Sequence, residues 1–225
     1  MDSKRFLKGL GIAVAVLAVV VIGGLLWYGN PPDHYYRLGI EVETPDGLKP
    51  ASNTFAVYQS YHSWGLPETL GLRQRLEGDA VFLDLGYGRN VVALLGHGPK
   101  GGEFSRIERL DNVAFSKTGR PIPWYATKNL FGSAPLTGGD IPTLVTFDDL
   151  KNPKTARFIR PEDFENVFGP HFRFKRAWVE IGGQKVTRGI TRHLPWITHF
   201  DAYRANPHNQ FTGTLPFSEL NFVRS

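Results

Sequence analysis

Hydrophobic and polar positions follow three different rhythms along this chain. Residues 10–27 are an unbroken run of Ile, Val, Leu, Ala and Gly closed by Trp27, and no charge occurs from Gly9 to Pro32. Wound as a helix at 1.5 Å per residue, this run is about 27 Å long, close to the hydrocarbon thickness of a bilayer. A period of two then begins. Tyr36, Leu38, Ile40 and Val42 alternate with Arg37, Gly39, Glu41 and Glu43, the pattern of a half-buried strand. Pro45-Asp46-Gly47 supplies turn chemistry and 55–61 resumes the extended pattern, so the second part opens with a hairpin. The third rhythm is apolar on both faces: 80–85 and 90–95 flank Gly86-Tyr87-Gly88-Arg89 and predict a central hairpin covered on both sides. Residues 143–147, 155–159 and 172–181 predict further strands. Only 161–168 reads as helix, with Pro161 first, Glu162, Asp163 and Glu165 near its positive end and Gly169 as the stop. The Pro-, Gly- and Asn-rich stretches 115–142 and 195–216 predict loop. The expected fold is mainly β, an antiparallel sandwich or open barrel with one short helix, preceded by a single transmembrane helix.

The flanks of the apolar run orient it. Lys4, Arg5 and Lys8 precede it, whereas Asp33 to Asp46 carries Arg37 against four carboxylates. By the positive-inside rule, 1–8 is a cytoplasmic basic tail, 9–28 an inner-membrane anchor with Trp27 and Tyr28 at the outer interface, and 33–225 a periplasmic β-rich domain. A cleaved signal peptide is the rival reading, but its apolar region is shorter and ends in a small-residue site, where this one ends Leu-Leu-Trp-Tyr-Gly-Asn-Pro-Pro.

Composition narrows the chemistry. Among 225 residues there are 16 Phe, 8 Tyr and 5 Trp, enough apolar surface for a packed core, and no Cys, which excludes disulfides, a thiol nucleophile and Cys-ligated zinc or iron–sulfur centres. The net charge of +5 is unevenly spread. Residues 33–150 hold 11 basic and 14 acidic groups, a balance of −3; residues 151–192 hold 10 and 4, a balance of +6. Within the basic segment, Phe172-Arg173-Phe174-Lys175 places Arg173 and Lys175 on one strand face and the aromatic rings on the other. These bases either meet a protein partner with an acidic surface or form a solvated face that neutralises the acidic half of the same domain. Trp64 and Trp124, both in Pro-rich loop contexts, are interface anchors or tuck back over the core.

His193, His199, Asp201 and His208 fall within 16 residues and form a candidate zinc or copper set, although their spacing fits no dedicated motif and ordinary loop histidines are the alternative. His62 lies between Ser60 and Ser63, but adjacent side chains on a strand point apart and no Gly-x-Ser-x-Gly elbow occurs. The run Gly96-His97-Gly98-Pro99-Lys100-Gly101-Gly102 lacks the order of a phosphate-binding loop and reads as a flexible connection. No catalytic residue is assigned, and no cofactor or nucleic acid is expected.

Leu144-Val145-Thr146-Phe147-Asp148-Asp149-Leu150, Asn152-Pro153-Lys154-Thr155-Ala156-Arg157, Arg160-Pro161-Glu162-Asp163-Phe164, Phe168-Gly169-Pro170, Val186-Thr187-Arg188-Gly189-Ile190 and Leu194-Pro195-Trp196 form a pattern with the opening Tyr36-Arg37-Leu38 and the closing Asn221-Phe222-Val223-Arg224. The pattern resembles an uncharacterised family of membrane-anchored, exported proteobacterial proteins and covers most of 36–225. The resemblance implies a Gram-negative inner-membrane protein with a periplasmic domain, and it implies no activity. The functional expectation is a tethered periplasmic binding or inhibitor (immunity-like) protein. The alternatives are a periplasmic hydrolase or metal-dependent enzyme using the C-terminal His and Asp residues, and a structural subunit of an envelope assembly.

Overall fold

The computed structural model describes residues 31–62, 71–119, 121–200 and 218–224. The expected anchor, 9–28, lies outside them, and among the described residues no helix is long and apolar enough to cross a membrane. From Asp33 onward the chain is one compact unit.

It is mainly antiparallel β in two sheets. The first runs β10-β3-β2-β1-β9-β6, built from β1 (His34–Thr44), β2 (Gly47–His62), β3 (Gly71–Asp79), β6 (Gly132–Leu136), β9 (Arg173–Ile181) and β10 (Val223–Arg224). The second runs β4-β5-β7-β8, from β4 (Val81–Gly86), β5 (Arg89–Ala93), β7 (Leu144–Phe147) and β8 (Ala156–Ile159). One hydrophobic core serves both sheets. Tyr36, Leu38, Ile40 and Val42 of β1 and Phe55 and Val57 of β2 share it with Val81, Leu83 and Leu85 of β4 and Val91, Val92 and Ala93 of β5.

The opening hairpin forms as the alternation predicts, with Thr44 paired to Gly47 across Pro45-Asp46 and eleven residues of β1 in register with β2. The second hairpin differs in one respect. β5 is covered on both faces, but β4 stands at the edge of its sheet, where only Val81, Leu83 and Leu85 point inward and Asp84 is exposed. Phe82, on the outward side of β4, is covered by the ring of His193 rather than by a sheet, which is why an apolar residue is tolerated there.

Two further elements depart from the expected pattern. Residues 110–117 form an α-helix, α1 (Leu110–Lys117), in addition to α2 (Phe164–Phe168). Its buried face is Leu110, Asp111, Ala114 and Phe115, and the inward carboxylate of Asp111 erases the apolar periodicity. Its partner is His34, whose Nε2 donates to Asp111 Oδ2 at 2.5 Å. β6 arises within 115–142 despite Pro135, because it is the outermost strand and a proline there removes no ladder bond that the sheet needs.

The face of the larger sheet turned away from the core is charged. Arg37 pairs with Glu180, Arg176 with Glu41 at 2.6 Å, and Lys175 with Glu43 at 3.3 Å, joining β1 to β9. Between them Trp178 lies directly on Gly39, where a Cβ would come within 2.2 Å of the indole. The Gly-rich loop is likewise built rather than loose. His97 and Glu103 form a two-way backbone bridge, Asn221 donates to Gly101 O, and a Cβ on Gly96 would meet that same oxygen at 2.1 Å.

His97 itself is buried, and its Nε2 donates to the backbone oxygen of Asp140 at 3.0 Å. The Asp140 carboxylate is also buried and pairs with Lys117 and Arg106. Burial, with a smaller contribution from the Arg106 charge, holds the His97 imidazole below its ordinary pKa, against the opposing pull of the Asp140 oxygen. The folded domain therefore refuses a proton that the unfolded chain accepts below about pH 6.5. Its contribution is intact above that value and is lost as pH falls. In urea titrations the drop in midpoint between pH 7.5 and 5.5 should be smaller for His97→Gln, which keeps an amide donor near Nε2 but cannot titrate. Equal drops in the two proteins would remove His97 from the acid response.

Candidate functional site

Three loops meet at the end of the domain where β1 finishes. The first is the β1–β2 turn, where Thr44 Oγ1 donates to Gly47 O at 2.8 Å and Leu48 stands exposed. The second is the β4–β5 turn, Tyr87-Gly88. Both of its residues have positive φ, 54° and 77°, and the Asp84 carboxylate accepts from Gly86 N at 2.7 Å. Positive φ at both central positions matches the right-handed twist of a hairpin but normally calls for Asn or Gly. The third loop, 169–172, leaves α2 through Gly169 at φ 104° and reaches β9 through His171 at φ 72°.

Specific contacts draw the loops together. Lys49 Nζ donates to Leu85 O at 3.0 Å, joining β2 to the end of β4. Arg89 lies over the ring of Phe172, 5.2 Å from its centroid, joining the second loop to the third. Glu43, Thr44, Pro45, His171 and Arg173 line a cleft of about 350 Å³ between the first and third.

Tyr87 and His171 are the two non-glycine residues with left-handed backbone among those described. Both are exposed, Tyr87 at 86%. Left-handed backbone costs a non-glycine residue roughly 1–3 kcal/mol, and such residues gather where a side chain has to be held in one direction.

The sequence-selected binding residues divide between the two ends of the larger sheet. Arg173 and Lys175 belong to the three-loop end. Both are exposed, while Phe172 is buried and Phe174 packs on Phe164 at 5.4 Å. A β-bulge falls at Lys175: Glu41 is opposite Arg176 and Val42 opposite Phe174, so Lys175 is the extra residue and swings back to Glu43. Arg173 makes no ion pair among the described residues, which leaves its guanidinium to the cleft. Trp124 sits at the opposite end, stacked on Tyr61 at 6.2 Å and edge-on to Tyr125 at 5.6 Å. Trp64 lies outside the described residues.

Of the candidate metal set, His193 stacks on Phe82 with ring centroids 3.9 Å apart, and His199 is exposed at the end of the turn 195–199. Asp201 and His208 lie outside the described residues, and among those described no three His, Asp or Glu side chains are grouped to hold a metal. The His–carboxylate pair that does form, His34 with Asp111, escaped sequence reading because its members are 77 residues apart and only tertiary folding joins them. Its side chains are 5% and 2% exposed, so it is placed to hold α1 on the sheet rather than to meet a substrate. The neighbouring Tyr36 hydroxyl donates to Ile107 O at 3.1 Å, and burial together with Asp111 and Glu108 holds its pKa well above the ordinary value.

A second cleft, about 440 Å³, runs between β8 and the loops at Gly98-Pro99 and 138–142, with Arg160 and Asp163 at its rim. Those two side chains satisfy each other at 3.0 Å, and the remaining lining is largely Gly, Pro and aliphatic. Among protein families, curated proteins and solved structures, none matches this chain.

Proposed function

We propose that the protein is a single-pass inner-membrane protein whose periplasmic domain, read as a β-sandwich, is a binding or inhibitor module for a protein partner with an acidic surface. The carrying observation is the three-loop end: two exposed, left-handed side chains, Tyr87 and His171, beside an unpaired Arg173. Tyrosine and arginine are the residue types that dominate binding energy at protein interfaces. Asn or Gly at position 87 would relieve the backbone, so a tyrosine held there in spite of the strain supports a use for its ring. The charge pattern supports an acidic partner, because Arg173 lines the cleft, its one carboxylate, Glu43, is already engaged with Lys175, and Arg89 lies over Phe172 in the adjoining loop. Such charges steer encounter and raise association rate.

The test is a photo-crosslinking residue placed at Tyr87 or at His171 in the full chain, expressed in its own membrane. A discrete protein adduct should form from both positions, and Arg173→Glu/Lys175→Glu should abolish it while leaving the amount of protein in the membrane unchanged. Absence of an adduct from both positions, or an adduct indifferent to the charge reversal, would overturn the reading.

A further inference from the structure

We infer that the opposite end of the domain, carrying Tyr61, Trp124, Tyr125 and Phe131, rests on the bilayer surface and takes the headgroup–acyl boundary as its ligand. The inference depends on the membrane anchor in the reading above but on nothing about the partner.

Six large apolar or aromatic side chains are prominently exposed among the described residues, and three of them lie at this one end: Tyr61 at 63%, Tyr125 at 59% and Phe131 at 88%. The backbone places them together. His34 is opposite Val57 at the start of β1, and β2 continues beyond it to Tyr61, where Trp124 stacks. The 3-10 turn Trp124–Asn129 then leads to Phe131, just before Gly132 takes its place opposite Ile181, which is itself opposite Tyr36. Tyr and Trp with an apolar body and a polar tip are the residues that settle at membrane–water interfaces, and a long cation beside them can keep its stem low and its charge in water. Lys128 in the same turn and Arg73 opposite Ser60 are exposed and supply such cations.

Chain length selects the bilayer over other occupants. Asp33 is pinned at this end by its own N–H to Val57 O at 2.8 Å and by its carboxylate, which accepts from Gln59 N. Five Cα steps separate Asp33 from Tyr28, the outer end of the expected anchor. Fully extended they reach at most about 18 Å. Tyr61 lies four residues past Val57, so β2 carries it about 13 Å further along the strand. A tether this short holds the aromatic end next to the membrane, whereas the three-loop end lies a strand length away at Thr44.

The absence of cysteine makes the test direct. The full chain, reconstituted in nanodiscs of phosphatidylcholine and phosphatidylglycerol, carries one spin label at Val16→Cys, Lys128→Cys or Tyr87→Cys, and relaxation is compared with oxygen, which partitions into lipid, and with a water-soluble nickel chelate. The oxygen-to-nickel ratio at 128 should exceed that at 87 several-fold, and Tyr125→Ser/Phe131→Ser should bring it down toward the aqueous value without altering the label at 87. A lipid-like signal at 16 with equal aqueous signals at 128 and 87 would overturn the docking while leaving the anchor intact. An aqueous signal at 16 would instead overturn the anchor itself. A label at 128 shielded from both reagents would mean that protein, a second copy or another chain, covers this end, and would overturn the bilayer as its ligand.

Discussion

His34→Ala should lower the stability of the β domain by about 3 kcal/mol or more, the cost of leaving a buried, hydrogen-bonded carboxyl group without its partner. The imidazole stands at the first residue of β1 and the carboxylate it bonds stands in the first turn of α1, both almost wholly out of solvent. Without the ring, Asp111 keeps the Asn112 N–H on its other oxygen, at 2.7 Å, while Oδ2 loses the partner that satisfies it. Asp111→Asn in the same background should recover part of the loss, because it removes the stranded charge while keeping the volume. Urea denaturation at pH 7.5 measures both changes. A loss below about 1 kcal/mol for the single variant would show that the carboxylate finds solvent and that the pair does not hold α1 in place.

Phe55→Ala carries a comparable cost, about 3–5 kcal/mol for removing a fully buried aromatic ring. Phe55 stacks on Tyr36 with centroids 5.3 Å apart, and its other side presses on the backbone at Gly78, where a Cβ would lie 2.5 Å from the ring. The absent side chain at 78 is therefore part of the packing. Gly78→Ala should destabilise through two effects, collision with the ring and its φ of 150°. In the Phe55→Ala background the collision disappears and only the backbone strain remains. The two losses should accordingly sum to more than the double variant shows, by about 1 kcal/mol or more. Strict additivity in thermal or urea melts would mean that ring and glycine do not confront each other.

The sheets were legible in the chain to the extent that one face was apolar and the other was not. β1 shows a strict period of two because it lies at the middle of the larger sheet, with core below and ion pairs above. β3 has almost no such signature: its inward residues include Gln74 as well as Leu72 and Leu76, and pairing with β2 rather than burial makes it a strand. α1 was hidden by a buried carboxylate whose partner is far away in sequence, and β6 by a proline that only an edge strand accepts. Arg173 and Lys175 were legible as exposed bases, but the bulge at Lys175, and the glutamates of β1 that engage Lys175 and Arg176, depend on cross-strand register. Tyr87 was visible as a turn residue. Its left-handed backbone, and its convergence with the loop of His171, required the two sheets to be assembled.

The place of β1 between β2 and β9 has a mechanical consequence. A partner held at the three-loop end and a membrane holding the chain at Asp33 would pull β1 lengthwise, while β2 and β9 stay with the load at the far end. Force in that direction loads all of the flanking ladder bonds in parallel, as shear, so that many must fail together. Pulling a strand sideways from a sheet edge would instead break them one after another. With eleven pairs in register on one side and eight on the other, this strand would carry the lengthwise pull. Forced unfolding is governed by the rate of crossing the unfolding barrier rather than by equilibrium stability. If the proposed tether and partner both hold, the domain could be only ordinarily stable in urea and still resist unfolding under such a pull.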